Sequence, residues 1–353
     1  MKINFRTPLL SLAFVGAVLS PASQNLNAEE PQKEPQTQPQ FEKLVPDSLI
    51  NLGKGPFYSN HVFVVDKSRR TLNVWEQSDK GYYKIKEINA DFGRTMGDKV
   101  SVGDHKTPEG IYFFPSYLDK AKLNFQEYGM HDVRAFPMNY PNLFDRRDGK
   151  TGYGIWLHTL PDNTPLTRGS RGCVVIRNND FDEAMKLIKL NNTPIMVHDE
   201  VKYVSPKEIE VQRELMVAWL KKWLESWQSK NLDSYMSYFD KSFRSKRMNW
   251  DQWKEYKSGL ATTYGEINIS ISEPRIIHFR DEWVVQFIQK YKSDKYEDFG
   301  HKTLFIKGTT IENLKIIAED FDVTTSSIAI AQYDAANFSC CTNLDRKLTT
   351  TKN

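Results

Sequence analysis

Cysteine is scarce. The 353 residues hold three, and Cys340 and Cys341 lie side by side near the C-terminal end, so the body of the chain has Cys173 alone. One thiol excludes an internal disulfide framework. A surplus of one charge is missing too. The formal net charge is +3, Lys2 and Arg6 supply two of those charges before any acid occurs, and the remainder stands at +1. Such balance argues against a nucleic-acid partner, which would usually leave a basic domain. No acid/His pair at metal spacing and no Gly-rich phosphate loop occurs, so neither metal nor nucleotide cofactor is expected. Long apolar runs are absent as well. The N-terminal run Pro8 to Leu19 covers twelve residues, short for a membrane span.

What is present begins with that run. Lys2 and Arg6 precede it, and Ala22 and Ala28 follow as cleavage points, so residues 1–28 read as a secretory signal and the mature protein as periplasmic. An uncleaved anchor is the alternative; no cysteine stands where a lipid anchor would need one. Residues 29–45 (EEPQKEPQTQPQFEK and two more) are rich in Pro, Gln and Glu and read as a flexible linker. Residues 46–203 and 204–322 then read as two domains. Residues 323–353, rich in Ser, Thr, Asn and Ala, read as a disordered tail in which Cys340 and Cys341 lack partners.

The first domain is β-rich. His61–Asp66 and Thr71–Trp75 predict a hairpin, and Tyr82–Phe92, Gly110–Pro115 and Thr193–His198 predict further strands. Leu118–Lys150 has no clear period and reads as a long excursion, either a lid or a packed surface loop. A helix starts near Asn179, where Asp180 and Glu183 have capping-box spacing.

The chemistry concentrates in Ile155–Asn178. His158 follows an apolar run, and Cys173 precedes Val174-Val175-Ile176. Two strand ends would bring thiol and imidazole together as nucleophile and proton carrier. Taken singly, a buried cysteine is more often a small hydrophobe. Gly172 shifts that reading, because it lets the backbone approach a substrate, and the Gly172 and Cys173 amides could converge on an oxyanion. Arg171 would lower the thiol pKa if its charge lies nearby.

His158, then Ser170-Arg171-Gly172-Cys173, then Asn178, resembles the signature of the L,D-transpeptidase (YkuD-like) catalytic domain. Thr107-Pro108-Glu109-Gly110 resembles that family's Thr-Pro-x-Gly stretch. The resemblance covers about Asn60 to His198. Two departures stand out: Arg171 replaces the more usual His, and Val175 the Arg common two residues after the cysteine. The resemblance implies a YkuD-like β-sandwich, Cys173 as nucleophile, His158 as base with Thr159 orienting it, and Gly172, Ser170, Arg171 and Asn178 around the oxyanion and substrate.

The second domain opens with an amphipathic helix, Glu208–Gln228, whose Met216, Trp219, Leu220, Trp223, Leu224 and Trp227 form one apolar stripe, read as core. Short helices at Leu232–Phe239 and Trp250–Ser258 and strands at Ile267–Ile271, Trp283–Tyr291, Thr303–Ile306 and Leu314–Ala318 complete an α+β plan. His278 and His301 read as structural or surface residues. The run from Trp223 to Leu304 resembles the NTF2-like (SnoaL-like) cone domain, which serves as enzyme, ligand pocket or dimer surface, so a homodimer or protein partner stays open. The pairing of the two domains resembles the peptidoglycan L,D-carboxypeptidases that shape helical Gram-negative bacteria. It implies acyl transfer on peptidoglycan stem peptides, ended by water. Transfer to a second stem or to a lipoprotein, cleavage of such links, and a non-catalytic wall-binding scaffold are the alternatives.

Overall fold

The computed structural model describes residues 43–55, 57–119 and 133–323. The expected signal, the linker up to residue 42, the middle of the 118–150 excursion and the tail beyond Val323 with Cys340 and Cys341 lie outside the described residues. Among the described residues, no helix is long and apolar enough to cross a membrane.

Strands β1 (Val45–Pro46) and β2 (Leu49–Asn51) come first. They are followed by β3 (His61–Asp66), β4 (Thr71–Ser78), β5 (Gly81–Asn89) and β6 (Gly110–Phe113). Then come β7 (Ala135–Pro137), α1 (Leu143–Arg147), β8 (Trp156–Leu160), β9 (Val174–Arg177), α2 (Asn178–Ala184) and β10 (Pro194–His198). One sheet has the order β5-β4-β3-β10-β6, with β10 parallel to β3; β7-β8-β9 form a second. The predicted β3–β4 hairpin is present.

The inner strands β3 and β10 are buried on both faces, which is why His61–Asp66 and Pro194–His198 read as hydrophobic runs. Val62, Val64, Ile111 and Met196 face one core, while Phe63, Val65, Tyr112, Ile195 and Val197 face the other. The second core is closed by Leu157, Val174 and Ile176 from the three-stranded sheet. A sandwich results. The excursion read without a period contains β7 and α1, and β7 pairs with the His158 strand. The capping box expected at α2 is not formed. Arg177 is the N-cap without a side-chain bond, and Asp180 and Glu183 instead pair with Lys86.

The C-terminal half begins with β11 (Tyr203–Val204) and α3 (Pro206–Gln228), which starts at a Ser205/Glu208 capping box. Next are α4 (Leu232–Met236), β12 (Phe239–Ser245), β13 (Met248–Asn249) and α5 (Trp250–Thr263). The strands β14 (Ile267–Ile271), β15 (Arg275–Phe279), β16 (Glu282–Ser293), β17 (Glu297–Lys307) and β18 (Lys315–Val323) follow. All six residues of the α3 stripe are buried, against a sheet ordered β13-β12-β18-β17-β16-β15-β2, with β14 on β16.

Strand β2 is the unexpected member. It precedes the five-stranded sheet in sequence, yet it pairs with β15, while β1 pairs with β11. Arg275, 1% exposed, fixes this junction. Its guanidinium donates to the carbonyls of Leu52 (3.1 Å), Asn192 (2.6 Å) and Ser59 (3.3 Å). Three backbone acceptors satisfied by one side chain hold segments from both halves of the chain together.

Candidate active site

Strands β8 and β9 run parallel, with Leu157 opposite Val174 and His158 opposite Val175. Side chains alternate faces along a strand. Leu157, Val174 and Ile176 therefore point into the core. Trp156, His158, Cys173 and Val175 share the outer face and line one cleft of about 480 Å³. His158 sits at the centre of β8 rather than at a strand end, held on one side by Ala135 and on the other by Val175. Cys173 immediately precedes β9, as expected.

The imidazole Nδ1 of His158 lies 3.1 Å from the Thr159 carbonyl oxygen. A carbonyl only accepts, so Nδ1 carries the proton and Nε2 is the basic nitrogen. Thr159 is itself fixed: its N–H donates to the Arg134 carbonyl (3.1 Å), and its hydroxyl accepts the Arg134 N–H (3.0 Å). Burial pushes His158 below its ordinary pKa, and the Thr159 bond partly offsets this. The Cys173 sulfur lies 3.5 Å from the Gly154 carbonyl. Packing pushes the thiol up to about 11, against a backbone bond from Trp156 and the positive charge of Lys99. Both shifts favour neutral forms.

Gly172 has φ +127°, and a Cβ there would meet the Lys106 carbonyl oxygen at 2.6 Å. Only glycine fits. Its N–H donates to Ser170 Oγ (3.1 Å), and the same hydroxyl donates to the Cys173 carbonyl (2.9 Å). The Gly172 amide is thus engaged within the loop, and Ser170 shapes that loop. Arg171 is exposed and lines the cleft. Asn178 does not; it starts α2 and accepts from Arg134 at 3.5 Å.

Several lining residues carried no sequence signal. Asp91 and Arg94 come from the loop after β5. Asp91 exchanges two 2.8 Å backbone bonds with Val175, and its carboxylate is held by Arg70 (3.0 Å) and the Arg168 N–H. The Arg94 N–H donates to the Ser170 carbonyl (3.1 Å), and its exposed side chain lines the cleft. Lys99 is buried in an ion pair with Asp104 at 2.7 Å. Trp156, two residues before His158, also lines the cleft. Among the described residues, no group of three or more His, Cys, Asp or Glu is placed to hold a metal.

The sandwich thus places one histidine and one cysteine on the lining of a single cleft. Residues 60–197 match the L,D-transpeptidase catalytic domain (YkuD), and residues 215–320 match the Cds6 C-terminal NTF2-like domain. The chain is 38% identical to Bd1075 of Bdellovibrio bacteriovorus, with a TM-score of 0.73 over 80% of this chain and 100% of that one. It is 27% identical to Pgp2 of Campylobacter jejuni, a helical cell shape determining protein, with a TM-score of 0.60 over 78% of this chain and 96% of that one. No curated protein matches. The chain belongs to the L,D-transpeptidase family, in the branch whose YkuD domain is followed by an NTF2-like domain.

Proposed function

We propose that this protein is a periplasmic, cysteine-dependent L,D-carboxypeptidase of peptidoglycan. It would trim the stem tetrapeptide to the tripeptide, release D-Ala and thereby affect cell shape. The observation that carries this reading is the shared outer face of β8 and β9, where His158 and Cys173 line one cleft. The likeness to Pgp2 supports the cell-shape role.

His158 Nε2 removes the thiol proton as Cys173 Sγ attacks the carbonyl between the diaminopimelate L-centre and terminal D-Ala. The S–C bond forms, the C–N bond breaks, and the proton passes from His158 to the departing amine. Water then attacks the thioester with His158 as base, giving the tripeptide carboxylate and the free thiol. The Cys173 amide is the remaining candidate for the oxyanion, worth about 3 kcal/mol for one such donor. Arg94 and Arg171 supply positive charge for the substrate carboxylate.

The test is a digest of purified disaccharide-tetrapeptide. Tripeptide and free D-Ala are expected. Cross-linked dimers in their place would make the protein a transpeptidase. Full activity in Cys173→Ala would remove the cysteine mechanism, and no product from the parent would leave the wall-binding scaffold.

A further inference from the structure

Glu109, the variable residue of Thr107-Pro108-Glu109-Gly110, is buried between cations from the two halves of the chain. Its Oε1 lies 2.5 Å from Lys67 Nζ and its Oε2 2.5 Å from Arg280 Nη2. Arg280 occupies the turn between β15 and β16, with φ +57° and its guanidinium over the Phe279 ring at 4.6 Å. On the catalytic side, Lys67 Nζ also donates to the carbonyls of Gly97 (2.9 Å) and Thr107 (3.5 Å). The Thr107 hydroxyl accepts the Gly93 N–H at 2.9 Å, and Gly93 bridges to Ser170. Ser170 in turn binds the Gly172 N–H and the Cys173 carbonyl. The neighbouring Lys106 carbonyl is the surface against which Gly172 rests.

Bonded groups thus run without a break from Arg280 to the nucleophile's own peptide. We propose that Arg280 is a positioning residue: through Glu109, the C-terminal half sets the loop that seats Gly172 and Cys173. The Arg280 side chain is 58% exposed, against 2% for Glu109. Removing the guanidinium therefore deletes little packing but leaves a buried carboxylate oxygen without its partner, and the loop relaxes to regain one. A small displacement of a reacting group is enough to slow chemistry with binding intact. The proposal rests on Cys173 being the nucleophile.

The experiment uses the full chain with Cys340→Ser and Cys341→Ser, so that Cys173 is the one thiol. Arg280→Gln is compared with Arg280→Lys by steady-state kinetics on disaccharide-tetrapeptide, by iodoacetamide alkylation of Cys173, and by thermal midpoint. For Arg280→Gln, kcat should fall about 10-fold with KM within about twofold, as expected for lost orientation. Alkylation should change about threefold or more, at an unchanged midpoint, and Arg280→Lys should recover most of both. In a cycle with Ser170→Ala, the combined loss in kcat should fall short of the product of the single losses, because both act on one loop. Parental kcat and alkylation in Arg280→Gln overturn the proposal, as do equal losses in both variants that follow the midpoint. A parent that cleaves no tetrapeptide defeats the enzyme reading instead, and the alkylation arm still decides the positioning.

Discussion

His158 Nδ1 is bonded to the carbonyl of its own neighbour, Thr159, at 3.1 Å. The bond fixes the tautomer, and burial pushes the ring below its ordinary pKa. With the Cys173 thiol pushed up to about 11, the mechanism proposed above has the proton move during attack rather than start from a standing thiolate. Alkylation of Cys173, in a background lacking Cys340 and Cys341, should therefore rise with pH through 9 without a plateau near neutrality. His158→Ala should lower kcat by about 10² to 10⁴, the range of a lost general base. A plateau below pH 7 in the alkylation profile would restore the ion pair.

Gly172→Ala is expected to be severe. The φ of +127° and the 2.6 Å approach to the Lys106 oxygen act together. The backbone strain alone costs roughly 1–3 kcal/mol, and relief by movement displaces Cys173. Tetrapeptide hydrolysis should fall more than about 100-fold, on the scale of a misplaced reacting group. A retained rate would show that the loop tolerates a shift away from Lys106.

Much of this was legible in the sequence because it is local. The Cys173 block, the β3–β4 hairpin and the α3 stripe each depend on neighbours in the chain, where periodicity and turn chemistry act. Other features were hidden because they depend on pairing across long separations. β2 joins β15, more than 200 residues away, and nothing in Leu49-Ile50-Asn51 states that partner. Asp180 and Glu183 have capping-box spacing, but Lys86 from β5 takes both carboxylates. Asp91 and Arg94 reach the cleft because their loop pairs with Val175 and Ser170, a tertiary event. The bond from the Gly172 amide to the Ser170 hydroxyl was not read from the sequence, although the two residues are neighbours in the chain.

The cleft charges give a prediction about substrate choice. Asp91 is already held by Arg70 and the Arg168 N–H, whereas Arg94 and Arg171 are exposed at the lining. A guanidinium pairs well with a carboxylate, and a charged hydrogen bond is worth about 1.5–3 kcal/mol. Arg94→Ala should therefore raise KM about 10-fold or more for a tetrapeptide with a free terminal carboxylate, and leave KM for the corresponding amide unchanged. An equal rise for both substrates would remove Arg94 from carboxylate recognition.

His198 gives a prediction about acid stability. Its Nε2 lies 3.3 Å from Ser48 Oγ, and its ring meets Phe279 edge-on at 5.3 Å. Burial, helped by the nearby His278 and Arg280 and opposed by Asp66, lowers its pKa to about 4 from the ordinary 6.5. Between those values the unfolded chain binds a proton that the folded chain excludes, so stability rises with pH across that window. The contribution is complete above about 6.5 and is lost as pH falls through about 4. At roughly 1.4 kcal/mol per pKa unit, it amounts to on the order of 3 kcal/mol. His158 and His278 are also depressed by burial and steepen the same slope. Urea unfolding at pH 7 and pH 4.5 should show a smaller difference for His198→Gln than for the parent, since glutamine cannot take up the proton. Parallel pH dependence in the two proteins would mean that His198 is protonated in the fold and that the Ser48 contact rearranges to accept it.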